Sequence, residues 1–252
     1  MSETEPVQDE FDTMARWTAD AVAEVGPGAG LPAGCRGSGT PEALRWLART
    51  MGLRDGMTLV DSGAGVGGPS ELAAREFAVS PVLTDPMRGA CAAAARIFGR
   101  PTAVADGGRL PFGAAAFDAA WSIGVLCTVE DKAPVLAELR RVVGTGSPVG
   151  FLVFVRTRAS LPEQPEGNHF PSLQELTALI EAAGLSAIDQ AALADFPEPP
   201  EEWQDLADRV DAVTERDHGE DERFRTAQEQ SAAIGSLLAD GLVEGRLLVA
   251  RA

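Results

Sequence analysis

Residues 58–70, TLVDSGAGVGGPS, are the stretch from which the rest of the chain can be placed. Leu59 and Val60 close a short apolar run, Gly63, Gly65, Gly67 and Gly68 follow, and an Ala-rich helical pattern opens near Pro69. This reads as a buried strand passing through a glycine turn into a helix N-terminus. Glycines there permit positive φ and let a ligand come close to backbone where a Cβ would collide. The N–H groups and positive dipole end of the helix then face whatever is bound. Without a ligand, the same turn would merely close a strand–helix unit.

From residue 57 onward strand and helix patterns alternate, which calls for a parallel sheet with helices on both faces. PVLTD (81–85) and PTAVAD (101–106) each read as a strand ending in a carboxylate, with a helix over 87–98 between them. Further strands are expected at 117–123, 147–155, 185–193 and 244–250, with a helix over 131–143 that tolerates Pro134 in its first turn. Ser172-x-x-Glu175 is a capping box opening another helix. The expected fold class is therefore α/β: a doubly wound, mostly parallel seven-stranded sheet of Rossmann-like kind.

Two appendages flank this core. Residues 10–25 carry Phe11, Met14, Thr18, Val22 and Val25 at helical spacing. PGAGLPAGCRGSG (27–39) reads as a glycine-dense loop too long for a simple connector, and Thr40-Pro41 as a helix start. Between the last two strands, residues 197–241 hold two helical stripes, one of Trp203, Leu206, Val210 and Val213, the other of Phe224, Ala227, Ile234 and Leu238. They read as a helical cap inserted before the last strand, joined at His218-Gly219 with His218 exposed. The expected division is 1–56 for N-terminal helices and loop, 57–196 for the core, 197–243 for the cap and 244–252 for the last strand.

Composition narrows the partners. With 252 residues, 45% of them hydrophobic, the chain can bury one sizeable core. No apolar run is long enough to span a membrane, and the acidic start MSETEPVQDE does not read as a signal peptide. Cys35, Cys91 and Cys127 are odd in number and lack metal spacing, which fits a reducing cytoplasm and no metal site. A net charge of −17 with a single lysine, Lys132, argues against nucleic acid and anionic membrane surfaces.

Gly63, Gly65 and Gly68 satisfy the dinucleotide spacing GxGxxG, which is weak on its own. Asp61, two residues before the first glycine, would repel a pyrophosphate and welcome an ammonium group. An acid before GxGxG, Asp85 ending the second strand and Asp106-Gly107 after the third together resemble class I S-adenosylmethionine-dependent methyltransferases, in the small-molecule branch related to quinone-biosynthesis enzymes. The resemblance covers residues 57–155 closely. It implies S-adenosyl-L-methionine as cofactor, with S-adenosyl-L-homocysteine as product. It implies cofactor contacts at Asp61, Gly63, Ala64 and Gly65, ribose binding at Asp85, and adenine flanked by Pro86 and Met87. Asp106 and Gly107 would meet the adenine edge, and Ser122 and Ile123 the methionine part. That branch often has histidine after the fourth strand; here the segment reads Val125-Leu126-Cys127-Thr128, so no catalytic role carries over.

The acceptor is expected to be a small molecule. Arg36 in the glycine-dense loop could grip a carboxylate, and Cys127 and Trp203 could line the acceptor pocket, although each also suits plain packing. His169 lies in PEGNHFPS on the edge where this fold holds its acceptor, with Asn168 and Phe170 beside it to orient and stack. An imidazole titrating near neutrality makes His169 the candidate general base. Two other classes stay open: a cofactor-binding protein without methyl transfer, cyclase-like or regulatory, and a nicotinamide-dependent dehydrogenase.

Overall fold

The computed structural model describes residues 4–162 and 164–252, residues 4–9 by their backbone alone; the first part of the polar N-terminal tail lies outside the described residues. Strands β1 (Thr58–Ser62), β2 (Ser80–Asp85), β3 (Thr102–Val104), β4 (Ala119–Ile123), β5 (Pro148–Arg156), β6 (Ser186–Ala192) and β7 (Val243–Arg251) form one seven-stranded sheet in the order β3-β2-β1-β4-β5-β7-β6. Neighbours from β3 to β5 pair parallel, and β7 runs antiparallel between β5 and β6. The helices are α1 (Thr4–Val25), the short α2 (Gly30–Gly34), α3 (Pro41–Met51), α4 (Gly68–Phe77), α5 (Arg88–Phe98), α6 (Ala133–Val142), α7 (Leu173–Ala182), α8 (Glu201–His218) and α9 (Glu222–Ala239).

The central strands are apolar on both faces because helices cover both. Along β5, Phe151 and Val153 join a cluster with Leu136, Leu139 and Ile180 of α6 and α7. Leu152, between them, points to the other face and packs with Leu44 and Leu47 of α3. That alternation is the two-residue period of a strand. Thr40 caps α3 by accepting from the Ala43 N–H at 3.2 Å, and the Ser172/Glu175 capping box opens α7 as the sequence signalled.

The N-terminal segment departs from expectation twice. Residues 27–39 are not a loop throughout, because Pro27–Ala29 form a tight turn that leads into α2. A Cβ on Gly68 would collide with the Gly34 carbonyl and lie 2.5 Å from Cys35 N, so these glycines serve close helix packing. Of the expected α1 stripe Val22 is buried and Val25 packs beside it, but Phe11 is 47% exposed. Ala15 and Ala19 are buried instead, against Ala90 and Ala93 of α5, where small side chains let two helices approach.

Helices α8 and α9 fall between β6 and β7 and pack on α1 and α2. Leu206, Val210 and Val213 meet Val22, Ala29 and Ala33, whereas Trp203 leaves that stripe to pack near Leu193 and Phe196. On α9 Phe224 and Leu237 are buried, with Leu238 exposed. His218 corrects the sequence reading, since its ring stacks on Trp17 with centroids 4.1 Å apart and planes 8° from parallel. Arg223 lies 5.5 Å from the same Trp17 ring, and Arg216 forks onto Glu24 at 2.7 and 2.8 Å. The exposed ion pair contributes little, while an aromatic stack adds about 0.5–1.5 kcal/mol. Together they clamp the cap to α1.

Candidate functional site

The site is built at the carboxyl ends of β1, β2 and β4. Asp61 lies on β1 in register with Leu83 on one side and Trp121 on the other. Its Oδ2 accepts from Ser70 Oγ in the first turn of α4 at 2.7 Å. Asp61 Oδ1, Ser62 Oγ and Trp121 Nε1 are buried and make no hydrogen bond among the described residues. Buried polar atoms without partners are rare, and three of them here belong to neighbouring positions of two paired strands. Burial pushes the Asp61 carboxyl up to about 6. The Ser70 hydroxyl and the nearby Trp121 N–H pull it down, and the Asp85 charge adds a smaller upward push.

The glycine turn is stitched to the end of β2. Gly63 and Ala64 donate their N–H groups to Thr84 O at 2.8 and 2.9 Å, and Gly65 donates to Asp85 Oδ2 at 2.9 Å. Those N–H groups are therefore spent inside the protein, and the turn offers a ligand its open backbone surface. Gly63 and Gly65 hold φ of 79° and 53°. A Cβ on Gly63 would overlap a Val125 methyl, so the loop after β4 rests directly on the turn.

Asp85 is buried, and its Oδ1 accepts from the Met87 N–H at 2.9 Å. Burial raises its pKa, the Met87 and Gly65 N–H groups lower it, and the Asp12 charge raises it. Asp12, on α1, also accepts from the Gly89 N–H at the start of α5. The N-terminal helix thus brings a second carboxylate beside Asp85. Sequence reading missed it because a polar residue inside an amphipathic helix carries no local signal.

The remaining expected cofactor residues divide. Met87 is half-buried and packs toward Ala15 and Ala19, with Pro86 exposed beside it. Asp106 is exposed, its Oδ1 taking the Gly108 N–H at 2.7 Å, and Gly107 lies against Ser62 Oγ. Ser122 Oγ donates to Ser62 O at 3.1 Å, tying β4 to β1, and Ile123 packs in the core beside Trp121.

The expected acceptor residues form a separate group at the ends of β4 and β5. His169 donates its backbone N–H to Cys127 O at 2.6 Å. The His169 side chain shares a groove with Lys132, Arg156 and Glu175, and none of the glycine-turn residues lines it. Cys127 and Phe170 lie in the core, and the Cys127 thiol, pushed up by burial, donates to Gly124 O at 3.2 Å. Asn168 is buried and turned back onto Glu166 O at 3.2 Å. Two residues are not brought here. Arg36 pairs with Asp208 and Asp211 of α8 at 2.9 and 2.7 Å, and Trp203 packs at the cap's base.

The strand order, with β7 reversed between β5 and β6, is that of the class I methyltransferase fold, and it departs from the all-parallel dinucleotide fold a dehydrogenase would use. Residues 60–153 match a family model described as a methyltransferase domain. Over that stretch the chain is similar to methyltransferase domains, in a Rossmann-like methyltransferase fold. No curated protein sequence is significantly similar to it. Solved structures share the fold. The [4+2]-cyclase SpnF is 22% identical over 84% of this chain and 80% of its own, with a TM-score of 0.68. A putative sarcosine dimethylglycine methyltransferase from Galdieria sulphuraria is 14% identical over 84% of each chain, at 0.64. Geranyl diphosphate C-methyltransferase from Streptomyces coelicolor A3(2), solved with S-adenosyl-L-homocysteine, is 18% identical over 82% of this chain and 74% of its own, at 0.61. Among the described residues no helix is long and apolar enough to cross a membrane.

Proposed function

We propose that the chain transfers a methyl group from S-adenosylmethionine to a small-molecule acceptor, with donor and acceptor held at separate parts of one strand edge. The observation that carries this reading is the cluster of buried atoms, Asp61 Oδ1, Ser62 Oγ and Trp121 Nε1, none of them in a well-formed hydrogen bond, beside a glycine turn with no Cβ in the way. An anionic oxygen, a hydroxyl and an N–H donor suit a polar cationic ligand, so these residues fit the cofactor. Asp61 would face its ammonium group, Asp85 its ribose, and Asp106-Gly107 its adenine edge. The bound cofactor supplies a methyl group on a sulfonium that needs no further activation. What the chain contributes is alignment, which can be worth roughly 7–11 kcal/mol of a barrier.

The cap, 197–243, and the N-terminal segment, 1–56, enclose this edge in our reading. Their clamps, Arg216–Glu24 and Arg36 with Asp208 and Asp211, support a shared role. A second reading, cofactor binding with rearrangement of the acceptor and no methyl transfer, draws support from Val125. An aliphatic side chain rests on the glycine turn from the segment after β4, where the resembling branch often has histidine. Release of labelled methyl from the cofactor into product separates the two.

His169 belongs to the acceptor end. It shares its groove with two cations and no cofactor residue, which favours holding the acceptor over taking a proton at the transferring methyl. His169→Ala is expected to raise KM about tenfold and leave kcat within about threefold, the pattern of lost uniform binding. A fall in kcat of roughly 10²–10⁴ with KM unchanged would restore the general-base role expected from sequence.

A further inference from the structure

We infer that the groove lined by Lys132, Arg156 and His169, at the carboxyl ends of β4 and β5, binds a carboxylate or phosphate group carried by the acceptor. That the anion belongs to the acceptor rests on the methyl-transfer reading; the anion site itself does not. Lys132, just before α6, is the chain's single lysine. It is only 7% exposed, yet its Nζ donates to one group, Val129 O at 2.7 Å, and to no other described residue. An ammonium has three donors, and burying one with a single neutral acceptor is costly unless something completes its shell.

Arg156 brings a second cation to the same wall. Its Nη1 donates to Phe170 O at 2.8 Å and its Nη2 to Glu175 Oε1 at 2.7 Å, which aims the guanidinium along the groove. Glu175 is itself consumed, by Arg156 and by the Ser172 N–H at 2.7 Å, and is held low, at about 2, chiefly by Arg156. No carboxylate pairs directly with Lys132 among the described residues; Glu175 and Asp131 reach it only as more distant charges, and the exposed Glu130 also lines the groove. The groove is shallow and open to solvent, about 700 Å³ in volume, with Pro171 and Leu179 supplying apolar surface. In a chain of net charge −17 the overall field repels anions, so an underpaired lysine beside an arginine is not a by-product of composition. Burial also depresses the Lys132 pKa, a cost that a bound anion would reverse.

The chain has two histidines, which makes the test direct. His169 lines the groove and His218, at the end of α8, is stacked on Trp17 of α1, so their ring signals in the full-length protein serve as probe and control. Sodium phosphate, titrated at neutral pH and constant ionic strength against sodium chloride, should move the His169 signals saturably with Kd on the order of 1–10 mM and leave His218 in place. Lys132→Met should weaken that binding about tenfold or more, and Lys132→Arg should keep it within about threefold. The methionine variant is expected to fold, since exchanging a buried ion for an apolar chain of similar length is often neutral or stabilising. Equal shifts with chloride, equal movement of His218, or undiminished phosphate binding in Lys132→Met would overturn the site. S-adenosyl-L-homocysteine binding, measured on the same samples, should be unchanged in Lys132→Met. Its absence from the native protein would sink the methyl-transfer reading while leaving the phosphate result standing.

Discussion

Gly68→Ala is expected to cost about 3 kcal/mol of unfolding free energy, the upper end of what overpacking a tight contact does. The added Cβ would meet backbone atoms of Gly34 and Cys35, not the end of a side chain that could swing away. Either α2 or the first turn of α4 must shift, and that turn carries Ser70, which holds Asp61. For a chain of this size the loss corresponds to a fall in Tm of roughly 6–12 °C. Gly235→Ala is the control. It lies in α9 with nothing within 4 Å of the added methyl, so helix propensity alone should stabilise it by up to about 1 kcal/mol. Thermal unfolding that left Gly68→Ala within about 2 °C of the native protein would show that α2 does not rest on α4 as described.

Asp85→Ala should weaken S-adenosyl-L-homocysteine by about 1.5–3 kcal/mol, or roughly 10–150-fold. The carboxylate has two tasks that alanine ends together. Its oxygens fasten the Gly65 and Met87 N–H groups, and their remaining lone pairs are the proposed ribose acceptors. Asp85→Asn keeps one oxygen and the shape, so its loss should be smaller. Circular dichroism of both variants guards against a general loss of fold. Calorimetry giving unchanged affinity in folded Asp85→Ala would remove Asp85 from the cofactor site.

The α/β core was legible because its signals are local: apolar runs of strand length, a glycine turn, and acids closing the second and third strands. The strand ends fell within a few residues, as at 101–106 against Thr102–Val104. The glycine-dense stretch misled because glycine signals both loop freedom and close packing, and only the partner helix tells which. Gly34 needed Gly68 to be understood. Periodicity weighted by side-chain size placed Phe11 inside α1, whereas the contact with α5 is made by alanines. Lys132 stood out in the sequence only as an oddity of composition. What makes it a candidate ligand group, a buried ammonium beside Arg156, arises from the approach of β4 and β5 ends distant in sequence. Asp12 was invisible for the same reason.

The claim that Asp61 and its neighbours receive the cofactor is tested most directly by titrating S-adenosyl-L-homocysteine across a pH range in the native protein and in Asp61→Asn. A ligand ammonium favours the ionised carboxylate, and burial holds this one at about 6. Binding should therefore be strongest above pH 6 and weaken as pH falls through that value, by up to about tenfold per unit. Protonation of Asp85, whose pKa is also raised, would add to the fall at lower pH. Asp61→Asn should bind more weakly at neutral pH and lose the inflection near 6, keeping only what Asp85 contributes. The same inflection in Asp61→Asn, or no saturable binding by the native protein at any pH, would contradict the account.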